Sequence, residues 1–289
     1  MRLILLVLFC STSVTVASQD VFPLVAYWDE GEIFDFRVTK VKSILKDDHS
    51  ISSDTLSYIS RFEVVDSTES QYTIKWSYDG YDKNVITHPN LRFLPELANY
   101  KAVEVIYTTD ELGALDELQN GEVIGKSMKE RLVDYTEKFN RQGLSNEFWF
   151  RLYESPTGLL YSVFKELTLF HNLFGLEYPI KEKISYQEPV PNPLGSEYAP
   201  LMQDVDIFCT GYDSTYQVTF ERNSRFNRQS LQNFISELTE EGLDLTQSST
   251  IHFTYLIWGV PLLIQGEFIS DTGQGFTMKD EIIIEIITD

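Results

Sequence analysis

The chain is poor in groups that cross-link, coordinate metal or act as nucleophiles. Its 289 residues hold two cysteines, Cys10 and Cys209, and four histidines, His49, His88, His171 and His252. Cys10 falls inside an apolar N-terminal run, and removal of such a leader leaves Cys209 with no intramolecular partner. An intramolecular disulfide is thereby excluded, and the core must stand on packing. The histidines are far apart, with no His-Glu-x-x-His, so no metal is expected. Asp204-Val205-Asp206 and Asp47-Asp48-His49 lack the glycine and terminal glutamate of an EF-hand loop and read as solvated carboxylates. Gly-x-Ser-x-Gly, the P-loop and Gly-x-Gly-x-x-Gly are missing as well, so no cofactor is expected.

Positive charge is also scarce. Lys and Arg number 23 against 44 Asp and Glu, a net charge of −21, and a field of that sign repels nucleic acid and acidic lipid headgroups. The apolar run at residues 3–9 is far shorter than the roughly 20 residues that span a bilayer. Instead, Arg2, that run and the small, polar stretch at 11–18 describe a secretory leader cut after Ala17 or Ser18. Phe9 is too large for processing that would attach lipid to Cys10. With no Asn-x-Ser/Thr sequon in the chain, the location expected is exported, in a bacterial periplasm or outside the cell.

What is present is β pattern with three helical interruptions. Tyr72, Ile74 and Trp76 alternate strictly and should share one face of a strand. Residues 61–78 read as a hairpin, and 206–221 echo it: Tyr72 aligns with Tyr216, Ile74 with Val218 and Trp76 with Phe220. Further strands are expected at 33–41, 55–65, 103–107, 114–118, 251–258, 262–269 and 276–287. Ile124, Met128, Leu132, Tyr135 and Phe139 have helical spacing behind Asn120 as the N-cap. Ser155-Pro156 opens a second helix with a wide stripe from Leu159 to Phe174, and a third is expected over 227–241. Pro189, Pro191, Pro193 and Pro200 mark 186–200 as a loop.

These elements predict an α+β fold, mostly antiparallel β, in two similar curved-sheet halves with three amphipathic helices packed on them. The divisions expected are a leader at 1–18, an N-terminal β half at 19–119, a helical connector at 120–184 and a C-terminal β half with one helix at 185–289. Tyr107-Thr108-Thr109-Asp110-Glu111-Leu112-Gly113, following the first hairpin, resembles an uncharacterised family of exported bacterial proteins. That resemblance implies no activity. The order of elements is similar, more loosely, to periplasmic lipoprotein carriers, which bears on fold rather than function. An outer-membrane barrel is disfavoured, because helices interrupt the strands.

The catalytic-looking triplet Asp271-Thr272-Gly273 would need a second copy to share a proton, and Asp66-Ser67-Thr68 and Asp213-Ser214-Thr215 both lack the glycine. It reads as a hairpin turn. Aromatic residues, 13% of the chain, gather at 72–81, 148–153 and 253–258, either filling a core or lining an apolar pocket. The expectation is an exported, non-enzymatic binding or carrier protein for an apolar small molecule or a protein partner, with Tyr72, Trp76, Phe220 and Trp258 as ligand-binding residues. The alternative is an envelope hydrolase using paired carboxylates.

Overall fold

The computed structural model describes residues 20–47, 49–79, 104–138, 146–195, 198–238 and 244–288. The expected leader, His88, Phe139 and the glycines at 143 and 242 lie outside them. Thirteen strands are described: β1 (Val21–Leu24), β2 (Ile33–Lys46), β3 (His49–Ser67), β4 (Gln71–Asp79), β5 (Val105–Asp110), β6 (Leu115–Leu118), β7 (Leu176–Pro179), β8 (Lys183–Val190), β9 (Leu201–Tyr212), β10 (Gln217–Phe226), β11 (Thr246–Leu256), β12 (Pro261–Asp271) and β13 (Phe276–Ile286). The helices are α1 (Gly121–Lys138), α2 (Asn146–Glu154), the single turn α3 (Pro156–Gly158), a π-helical turn (Leu159–Val163), α4 (Lys165–Phe170) and α5 (Arg228–Leu238).

Eleven strands form one antiparallel sheet in the order β6-β5-β4-β3-β2-β13-β12-β11-β10-β9-β8. The two halves are therefore not separate sheets. β13 pairs with β2 from Phe276↔Lys46 to Ile286↔Phe36, which closes the seam between the first and last strands of the meander. β4 and β10, the strands of the echoed hairpins, each stand third from an edge of this sheet. Both are followed by a neighbour on the same side, since the meander runs in one sense from β8 to β13 and on from β2 to β6. The chain between the edges, from α1 to β7, crosses one face of the sheet.

That crossing makes the face concave. The Phe170 ring meets Trp76 of β4 at 5.6 Å, while the Phe170 carbonyl accepts a hydrogen bond from Tyr255 of β11 at 3.1 Å. β4 and β11 are five strand spacings apart, about 24 Å in a flat sheet, so the sheet must curl around α4 for one residue to touch both. Bulges in the β2/β3, β3/β4, β9/β10 and β11/β12 ladders supply bending points.

Several expected elements differ for local reasons. Asn120 stands at the N-cap of α1, its carbonyl accepting from Ile124 N at 3.1 Å, but its side chain turns to β5: Oδ1 accepts from Ile106 N at 3.0 Å and Nδ2 donates to Glu104 O at 2.7 Å, fastening the helix start to the sheet. The stripe from Leu159 to Phe174 is buried as expected, but three short pieces carry it. Phe164 N bonds to Leu159 O, five residues back, and this wider turn re-aims the stripe to follow the curved sheet. The Pro-containing stretch at 186–190 belongs to β8 rather than to a loop, and Pro189 is tolerated because β8 is an edge strand whose outer side needs no N–H. The expected connector also contains a strand, β7, which pairs with β1 in a small two-stranded sheet beneath the main one. Asp271-Thr272-Gly273 is a turn, with Asp271 Oδ1 accepting from Gly273 N at 2.8 Å and Gly273 at φ +69°.

Candidate functional site

Residues opposite one another across the ladders form rows on the concave face, and the rows change character along the strands. One row, Tyr58, Val38, Ile284, Ile264, Phe253 and Phe220, is apolar apart from the tyrosine hydroxyl. The next, Leu56, Lys40, Ile282, Gly266, Ile251 and Arg222, admits two cations. The third, Asp54, Lys42, Asp280, Phe268, Ser249 and Ser224, is mostly polar. The helical pieces and the β1/β7 sheet cover the apolar end of this gradient. Past the third row the face opens, and Met278 and Phe276 are 45% and 38% exposed beside half-buried Ile44.

At the boundary lies a buried polar cluster. Lys40, inward on β2, pairs with Glu166 of α4 at 2.8 Å, and both side chains are almost wholly buried. The second carboxylate oxygen of Glu166 accepts from Tyr78 at 2.9 Å and from Tyr58 at 3.1 Å. A carboxylate that has lost water is thus met by an ammonium and two hydroxyls, which offsets its desolvation. A cavity of about 170 Å³ adjoins the cluster, lined by Lys40, Lys42, Lys165, Tyr161, Ser162 and Asp280 among others. Lys165 caps the ring of Phe268, its ammonium 3.2 Å from the centroid. Lys42 is flanked across the ladder by Asp54 and Asp280. The charges in and around the cavity are matched, so it holds no excess of either sign.

A related group stands toward β8, where Glu188 accepts from both Arg222 and Gln203. Burial and the Glu188 charge push the nearby Tyr186 hydroxyl up to about 12, so it stays protonated across ordinary pH. Among the described residues, no three His, Cys, Asp or Glu side chains are arranged to hold a metal ion. No helix among them is long and apolar enough to cross a membrane.

The four residues expected to bind ligand do not converge. Trp76 is fully buried, stacked on Phe36 at 6.1 Å and edge-on to Phe170. Phe220 is buried at the other side of the curl, against Tyr178, Phe22 and Tyr255. Tyr72 is half-buried against Trp28, and its hydroxyl bonds to Ala26 O at 3.4 Å. Trp258 is exposed in the β11–β12 turn. The carbon surface around Trp76 and Phe220 is filled by the chain's own helical pieces and by β1 and β7.

The Tyr107–Gly113 stretch forms a clasp. Asp110 Oδ1 accepts from Leu112 N and Ala114 N, closing the β5–β6 turn, and Gly113 takes φ +94°. Its carbonyl accepts from His171 Nδ1 at 2.8 Å, while His171 Nε2 accepts from the Tyr107 hydroxyl at 2.9 Å. Burial lowers His171 to about 4, keeping it neutral as this pattern requires. Sequence reasoning placed His171 beside an apolar stripe but missed Lys40 and Glu166. The available signal was a charge at an inward position: Lys40 continues the alternation of Phe36 and Val38, and Glu166 interrupts the stripe between Phe164 and Leu167.

No family model matches the sequence, and no curated protein matches it either. Among solved structures, one of lipovitellin, described in terms of lipid–protein interactions, is similar over 90% of this chain and 25% of that one. The TM-score is 0.47 and the identity 11%. This chain spans about a quarter of that protein, and a likeness so remote says nothing about function.

Proposed function

We propose that the protein is a non-enzymatic binding or carrier protein that takes an apolar ligand into the open end of its concave face. The observation behind this reading is the exposure of Met278 and Phe276 beside Ile44, where the sheet runs beyond its helical cover. Apolar side chains on a concave surface, bounded above by fixed polar groups, are the usual make-up of a ligand site. The leader-like first 18 residues support an exported location, and the Tyr107–Gly113 motif supports kinship with exported bacterial proteins.

The hydrolase alternative needs two carboxylates converging without a cation between them, whereas Asp54 and Asp280 stand on either side of Lys42. Glu166 is paired with Lys40, and Glu281, which borders the cavity, is paired with Lys279 at 3.0 Å. Mass spectrometry of material extracted from the natively purified protein tests the proposal. A co-purifying apolar compound, lost when Met278 and Phe276 are both replaced by Asp, is the expected result. A ligand-free protein that also fails to take up a fluorescent fatty-acyl probe would end the carrier reading.

A further inference from the structure

Loops at the end of the sheet opposite the open trough carry an unusual surface. The four most exposed aromatic side chains among the described residues, Tyr27 (65%), Tyr212 (64%), Tyr216 (59%) and Trp258 (44%), all stand at this end. They come from three separate segments: the strand that leads to the β9–β10 turn and the turn itself, the β11–β12 turn, and the stretch between β1 and β2. Backbone contacts knit these segments together. Ile257 N bonds to Tyr216 O at 3.0 Å, and a Cβ on Gly259 would lie 2.5 Å from Val25 O, so the β11–β12 turn is packed directly on the stretch carrying Tyr27. The aromatics therefore stand on segments that are packed together at one end of the sheet. The same end also carries exposed carboxylates, Asp29, Glu30, Glu111, Glu177 and Asp213. Among the described residues of these end loops, Lys181 is the only Lys or Arg.

Tyr216 is the exposed aromatic of the β9–β10 turn itself. It occupies the left-handed region at φ +60°, at the tip of a hairpin where glycine or asparagine would cost less. The Asp213 carboxylate braces this turn by accepting from Thr215 N at 2.8 Å and Gln217 N at 3.2 Å. An exposed ring at this tip contributes little to the core.

We infer that this end is a docking surface for a basic protein segment, one in which Lys or Arg side chains alternate with apolar residues. Guanidinium and ammonium groups lie favourably over Tyr and Trp faces, the carboxylates of the same end complete their neutralisation, and apolar neighbours cover the ring edges. The same acidity opposes an anionic membrane. This surface is separate from the open trough and does not depend on a ligand there.

Fluorescence anisotropy with a labelled Arg-Leu-Lys-Ser repeat peptide tests the inference, using the purified chain and a control peptide with Gln at every basic position. The basic peptide should bind and weaken with added salt, and the Gln peptide should not. Tyr216→Gly relieves the turn, so its thermal midpoint should stay level or rise while affinity falls. Combined with Trp258→Ser, the loss should be about tenfold or more. Unchanged binding by the double variant, equal binding of the two peptides, or no binding at all would overturn the inference. So would binding to phosphatidylcholine vesicles in place of the peptide, which would assign the rings to a lipid surface.

Discussion

Lys40 and Glu166 show what a single buried position contributes. Glu166 is met by Lys40, Tyr58 and Tyr78, and removing one member of a buried ion pair leaves the other charge desolvated. Glu166→Ala should therefore cost about 3–5 kcal/mol in urea unfolding, whereas Lys40→Met with Glu166→Met should recover most of that loss. His171 makes a second prediction at this scale. Its folded value is held at about 4 against an ordinary 6.5, so between these values the unfolded chain binds more protons than the folded one. The stabilisation is complete above about pH 6.5 and is lost as pH falls toward 4. The drop should be up to about 3 kcal/mol, and urea midpoints across that range should show a shallower decline in His171→Gln than in the parent. Both residues carry polar chemistry at inward positions. Their positions were legible in the alternation of β2 and the stripe of α4, but their partners, on strands and turns distant in sequence, were not.

At the scale of elements, the helical crossing does most to shape the molecule. It replaces what would be a ligand cavity around Trp76 and Phe220 with Phe170, Phe164 and the β1/β7 pair. Within it, the packing of α1 on α2 depends on close backbone approach: a Cβ on Gly125 would stand 2.0 Å from the Tyr153 carbonyl oxygen. Gly125→Ala should force α1 and α2 apart, outweighing the gain in helix propensity of about 1 kcal/mol. A lowered thermal midpoint with increased hydrogen exchange confined to these two helices is the expected result. Helix periodicity identified the buried stripe correctly, yet it could not reveal the π-helical turn at Leu159–Val163, because that turn answers to the curvature of a sheet lying outside the segment. Pro189 in β8 carries the same lesson: a proline argues against a central strand, and only the topology shows that this strand is an edge.

For the whole molecule, the pairing of β13 with β2 is the decisive contact. It joins strands separated by more than two hundred residues and places both in the middle of the sheet. If the first and last parts of the chain were independent units, truncation before Phe276 would leave the N-terminal strands folded. Because the described residues share one apolar core, running from Phe36 and Trp76 through Phe170 to Phe220 and Tyr255, such a truncation should instead abolish cooperative unfolding in both circular dichroism and tryptophan fluorescence. Loss of only the C-terminal signal would show that the parts fold separately.

Local pattern alone determined most of the strands, the common face of Tyr72, Ile74 and Trp76, the turn at Asp271–Gly273 and the strongly acidic charge balance. Each rests on a period of two or 3.6, a turn chemistry or a count of charges, all of which act over a few residues or by composition. Tertiary structure decided that two apparent halves are one sheet, that its concave face is filled at one end and open at the other, and that Trp76 and Phe220 are packing while Trp258 is surface. Those outcomes depend on which strands meet and on how the sheet curls around α4. They are set by contacts between residues tens to hundreds of positions apart, to which a local period is blind.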